Sequence, residues 1–116
     1  MIDILEFDGQ DFKAVCEFEG WKIGLLRYSE RFSDFKILER HLLTDEVFVL
    51  LEGSAIIYLY NDDKVTEYIM DKNTVYNIHK NVWHHIVVSK DAIVLVVENS
   101  NTSKENTERM EYNANK

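Results

Sequence analysis

The chain has no proline, one cysteine and only four glycines in 116 residues. Without proline, its turns must be made by Gly, Asn, Asp and Ser, which accept unusual backbone angles or bond their own main chain. The lone Cys16 excludes an internal disulfide and fits a reducing compartment. No activating histidine stands beside it, so it reads as a small buried or half-buried residue. No apolar run reaches membrane-spanning length. The opening Met1-Ile2-Asp3-Ile4-Leu5-Glu6 lacks the basic segment and apolar core of a secretory signal, so a soluble, cytoplasmic protein is expected. Basic residues are few: 13 Lys and Arg against 21 Asp and Glu leave a net charge of −8. Phosphate backbones and anionic lipids repel such a surface, so neither nucleic acid nor membrane is an expected partner. There is no glycine-rich phosphate loop. Gly20-Trp21-Lys22-Ile23-Gly24 lacks the spacing and the following helix.

What is present is a globular composition, 46% hydrophobic and 12% aromatic, at a length that suits one domain with one core. The apolar residues come in short runs of β-branched and aromatic types separated by polar clusters, which is a strand pattern. Strands are expected over Trp21 to Tyr28, Phe35 to Leu42, Val47 to Leu51, Ser54 to Tyr60, Lys64 to Met70, Val75 to Ile78, His85 to Val88 and Ala92 to Val97. Glu52-Gly53 reads as a tight turn and Asn61-Asp62-Asp63 as a hairpin loop. So many short strands mean an all-β sandwich or barrel over residues 21–98. An N-terminal arm (1–20) precedes it and a tail (99–116) follows. Within the tail, Ser103 to Met110 reads as a short helix capped by Ser103 or Thr102, and Asn113 to Lys116 as a frayed end. Val47 to Leu51 and Ile93 to Val97 are apolar on both faces, so something must cover the outward one. A second copy in a homodimer would do so, and so would the N-terminal segment.

The four histidines lie in two short segments. In the first, Glu39 and His41 are followed after four residues by Glu46 and after six more by Gly53. The second runs from His79 through Asn81 and Trp83 to His84 and His85. These segments resemble the two motifs of the cupin family. His41, Glu46 and Gly53 stand at the positions of the second histidine, the glutamate and the closing glycine of the first motif. His84 takes the histidine of the second. The chain differs from the pattern at Ser33 and Asn73, where it has glycines, and at Glu39, where it has the first histidine. It differs again at His79 for proline, Asn81 for glycine and Val88 for the final asparagine. Asn for Gly is a mild change at a turn, since Asn best accepts the left-handed region. The resemblance implies a double-stranded β-helix, or jelly-roll barrel. It implies either a cupin-domain protein of unassigned activity that binds a small polar metabolite, anionic or sugar-like, or a metal-dependent enzyme of dioxygenase or isomerase type.

Alternation along a strand puts Glu39 and His41 on one face and Arg40 on the other, and turns His85 away from His84. Four groups are therefore expected to converge: Glu39, His41, Glu46 and His84. Two imidazoles with one carboxylate form a facial triad that suits Fe(II). A second carboxylate admits Mn, Ni or Zn. The alternative is that the two glutamates pair with nearby basic groups and the histidines are hydrogen-bonded barrel residues. His79 and His85 read as surface or rim residues. Phe48, Tyr58, Tyr60, Tyr76 and Trp83 either line a pocket or fill the core. Arg27 and Arg40 suit an anionic ligand, with Arg40 outward if Glu39 faces in.

Overall fold

A computed structural model describes residues 1–113, so the expectation for the extreme end of the tail, at residues 114–116, lies outside the described residues. Ten strands run in order: β1 (Asp11–Phe18), β2 (Trp21–Arg27), β3 (Ile37–His41), β4 (Glu46–Glu52), β5 (Ala55–Asn61), β6 (Lys64–Ile69), β7 (Val75–Ile78), β8 (Trp83–Val88), β9 (Ile93–Asn99) and β10 (Thr107–Glu111). They form two five-stranded sheets, β1-β2-β9-β4-β7 and β10-β3-β8-β5-β6. The strand pairs within each sheet are antiparallel. Leu26, Phe48, Leu50, Val94 and Val96 of the first sheet pack with Ala55, Ile57, Ile86 and Val88 of the second in one buried core. This is the all-β architecture expected from the strand pattern, in the jelly-roll form that the cupin resemblance implies. No helix among the described residues is long and apolar enough to cross a membrane.

Two elements differ from expectation. Residues 11–18, read as part of an arm, form β1 and pair with β2 along its whole length. A bulge between Ala14 and Cys16 shifts the register, which breaks the alternation that marks a strand in sequence. The expected helix over 103–110 is one 3-10 turn, Lys104–Asn106, followed by β10. Ser103 does start it: its N–H donates to Asn106 Oδ1 at 3.0 Å. The chain then pairs with β3, placing Thr107 opposite His41 and Arg109 opposite Glu39. Tertiary pairing wins here over a weak local helix preference.

The turns follow the chemistry of a chain without proline. Asp62 and Asp63 both take positive φ, 51° and 63°, as a two-residue hairpin requires. Asn73 (φ 59°) and Asn81 (φ 70°) occupy the left-handed region. Asparagine thus fills both turn positions where the cupin pattern has glycine. Gly53 (φ +76°) is needed on a second ground, because a Cβ there would lie 2.7 Å from the Ala92 Cα. The Asn81 N–H donates to His41 O at 2.8 Å, tying the turn before His84 to the strand that carries His41.

The outer face of the first sheet is apolar across its middle. Leu25, Leu95, Val49 and Val75 stand side by side across β2, β9, β4 and β7, and Ile23, Val97 and Val47 form the adjacent row. The N-terminal segment leaves its own apolar groups uncovered, with Ile2 and Ile4 each 82% exposed.

Candidate metal centre

Three strands bring His41, Glu46 and His84 together at one end of the roll. His41 ends β3 and Glu46 begins β4 after the turn at Thr44-Asp45, while His84 lies on β8 between β3 and β5. The Asp45 carboxylate fixes that turn by accepting from the Lys80 N–H at 2.9 Å and from Asn77 Nδ2 at 3.1 Å. One donor atom from each of the three residues lies within 4.8 Å of the others.

The hydrogen bonds settle which imidazole atoms face the cavity. His84 Nδ1 is 3.0 Å from Val82 O, and a carbonyl only accepts, so Nδ1 carries the proton. Thr107 Oγ1 donates to Ser103 O at 2.8 Å and therefore accepts from His41 Nδ1 at 2.9 Å. Both rings thus present Nε2 inward. His84 Nε2 is 2.9 Å and His41 Nε2 3.4 Å from the same atom, Glu46 Oε1. A bare nitrogen lone pair facing a carboxylate oxygen is repulsive, so a cation must lie between them, either a proton or a metal ion. The donor set fits a divalent transition metal, whose bonds to His nitrogen and carboxylate oxygen are about 2.0–2.2 Å.

Electrostatics agree with a site built to hold positive charge. Burial pushes the Glu46 carboxyl up, but the hydrogen bonds from His41 and His84 outweigh it and hold it far below the usual carboxylate range. Burial pulls His41 down, and the hydrogen bond to Glu46 more than reverses this, leaving it above the ordinary imidazole value. The cavity beside these groups has a volume of about 110 Å³. Phe12, Phe32 and Phe48 supply apolar wall, and Arg31, Glu39 and Glu98 supply charge.

No family model and no curated protein matches the chain in sequence. Solved structures match it in shape. Streptomyces Pac13, a nucleoside dehydratase also solved with uridine, superposes with a TM-score of 0.69 at 8% identity. The match covers 93% of this chain and 86% of that one. A cupin-2 domain containing protein from Shewanella frigidimarina matches at 0.58 and 19% identity, over 79% of this chain and 82% of that one. The capsular polysaccharide assembling protein CapF of Staphylococcus aureus matches at 0.66 and 18% identity, over 94% of this chain but only 32% of CapF. The chain has the cupin fold. At these identities the likeness speaks for shape.

Glu39, the residue in place of the first motif histidine, does not join the cluster. It borders the cavity, but Arg31 Nη2 holds its Oε1 at 2.7 Å and Arg109 Nη2 its Oε2 at 3.3 Å. Burial pushes the Glu39 carboxyl up, and the Arg31 and Arg109 partners pull it lower still. Of the expected pocket residues only Phe48 lines the cavity. Tyr58 stacks on Phe35 at 4.4 Å instead. Tyr60 bonds Asp63, and Tyr76 accepts the Asp71 N–H. Trp83 lies under the Arg40 guanidinium at 4.5 Å. Arg27 donates to Phe7 O at 3.2 Å and so secures the N-terminal segment. Arg40 points away from the site, its Nε 2.7 Å from Glu108. His79 is exposed as expected, but His85 is not. It is 3% exposed, stacks with Phe35, and meets Asp34 O through Nε2 at 3.0 Å. The chain between β2 and β3 folds over it.

Two cavity residues, Arg31 and Glu98, escape the motif reading, as does Lys22, which reaches Glu98 at 3.6 Å. Glu98 extends the inward alternation of Val94 and Val96 by one step, so the sequence carried a signal for it. Lys22 alternates with Gly24 and Leu26 in the same way. Arg31 sits in the 3-10 turn Glu30–Phe32, where no period points to it.

Proposed function

We propose that this cupin binds a small polar metabolite in its barrel, beside one divalent transition metal held by His41, Glu46 and His84. The reading is carried by the paired imidazoles. Each has Nδ1–H tied to a protein oxygen and Nε2 turned towards one shared carboxylate oxygen, the arrangement in which outer partners orient metal-ligating histidines. Fe, Mn, Ni and Zn all accept such a set. The cavity, at about 110 Å³, is smaller than the several hundred Å³ typical of drug-sized ligand sites, which favours a compact ligand. Arg31 at its edge suits an anionic group. A second copy of the chain covers the outer face of the β1-β2-β9-β4-β7 sheet.

An enzymatic reading stands beside this one, favoured by the buried acids around the histidines. A bound metal would supply Lewis acidity to a substrate oxygen. The chain's own part would be to exclude water with Phe12, Phe32 and Phe48 and to orient the substrate with Arg31 at the cavity edge.

Elemental analysis of protein purified without chelator tests the metal. Near-stoichiometric Fe, Mn, Ni or Zn is expected, and its loss in the His41→Ala, His84→Ala double variant. Thr107→Val, which removes the acceptor for His41 Nδ1 together with the hydroxyl's bond to Ser103 O, should weaken metal affinity by roughly tenfold. Protein free of metal whose melting temperature does not rise with any of these ions defeats the reading.

A further inference from the structure

Glu98 lies beside the cluster. It stands directly opposite Glu46 across β9 and β4, so the two side chains leave the sheet on the same inward face. Both are buried, Glu46 at 9% and Glu98 at 8% exposure, and both line the same cavity as His41 and His84. Two buried carboxyls side by side cannot both be charged without a cation nearby. Lys22 is 3.6 Å from Glu98 Oε1 but shares its ammonium with Thr102 O at 3.1 Å. One lysine at that distance serves one carboxylate.

The other acid at the cavity is not free in this way. Glu39 has both oxygens engaged by guanidinium groups, and release of either would strand a buried charge.

We propose that Glu98, from the last strand of the first sheet, supplies the fourth protein ligand to the metal, giving a two-histidine, two-glutamate set with Glu46. Glu39, the position where the cupin pattern has its first histidine, stays in the Arg31–Arg109 bridge. The inference rests on the metal reading above. Lys22 acts as a positioning residue, holding the outer oxygen of Glu98 so that the inner one faces the cluster. Two carboxylates with two imidazoles make a harder set than three imidazoles with one carboxylate, so Mn and Fe gain relative to Cu and Zn.

Titration of the full chain with Mn²⁺ and Co²⁺ by calorimetry tests this. Glu98→Gln keeps the size of the side chain and should weaken binding by on the order of 100-fold, whereas Glu39→Gln should stay within about threefold. A gain-of-signal variant avoids any dependence on folding losses. Glu98→Cys loaded with Co²⁺ should show a thiolate-to-cobalt charge-transfer band in the near ultraviolet. The parent chain, whose only thiol is Cys16, and Glu39→Cys should not. If the parent binds Co²⁺ while Glu98→Gln binds equally well and Glu98→Cys lacks the band, the fourth-ligand proposal falls and the triad remains. A band in Glu39→Cys instead would also overturn it. A parent that binds neither ion removes both readings at once.

Discussion

Burial pushes the Glu98 carboxyl up from 4.5 to about 7, and the neighbouring Glu46 charge acts in the same direction. The folded chain therefore keeps a proton that the unfolded chain gives up. That contribution to stability is complete below about pH 4.5 and is lost as pH rises through about 7. His41 acts with the same sign, since its raised value gives stability present below 6.5 and lost above. Glu46 is opposite. Its depressed value gives stability present above 4.5 and lost as pH falls. In chelator, melting temperature should thus peak in mildly acidic buffer and decline towards pH 8. Glu98, whose carboxyl is moved furthest upward, should supply most of that decline. Glu98→Gln should flatten most of the slope. Melting curves from about pH 5 to 8 check this, and a slope that rises with pH in the parent, or persists in the variant, contradicts it.

Each turn around the site is held by one residue that can bear its backbone angle, and the strands between turns are held by alternation. Asn81→Gly should change stability by less than about 1 kcal/mol, because either residue accepts φ near 70°. Asn81→Val should cost about 1–2 kcal/mol for the left-handed angle and displace the run into His84. Gly53→Ala adds a clash with the Ala92 backbone to the same penalty, so about 3 kcal/mol is expected. Denaturant melts rank the three, and an Asn81→Val chain as stable as the parent would show that the turn is not under this constraint. The same contrast explains how much could be read in advance. Strands β2 to β9 were legible as short runs of β-branched and aromatic residues between polar turns, and His41, Glu46 and His84 because they fall at fixed spacing. β1 was hidden by its bulge at Ala14. Thr107-Glu108-Arg109-Met110-Glu111 has no period of its own and becomes a strand because β3 offers an edge. Glu39 matched the motif by position. Its engagement by Arg31 and Arg109 depends on a turn and an edge strand that no spacing rule describes.

The whole chain carries a net charge of −8, so two copies repel unless they meet on neutral ground. The outer face of the first sheet supplies that ground. Five strands about 4.8 Å apart and four to eight residues long make a plane of roughly 500 Å². Side-chain relief enlarges this towards the ~800 Å² per partner of a stable interface. β9 is the central strand, and Leu95 lies between Leu25 and Val49 at its middle. In a two-fold interface the middle of the patch meets its own counterpart. Leu95→Arg therefore sets two guanidinium groups against each other and buries both, which should weaken association by at least about 100-fold, or ~3 kcal/mol. Light scattering at micromolar concentration should give a dimer mass for the parent and a monomer mass for the variant. Added salt should strengthen the parent dimer, since it screens the repulsion between two acidic bodies while leaving the apolar contact intact. A parent that scatters as a monomer across that range would leave the sheet face uncovered and end the dimer reading, while the metal site, built wholly from one chain, would stand unaffected.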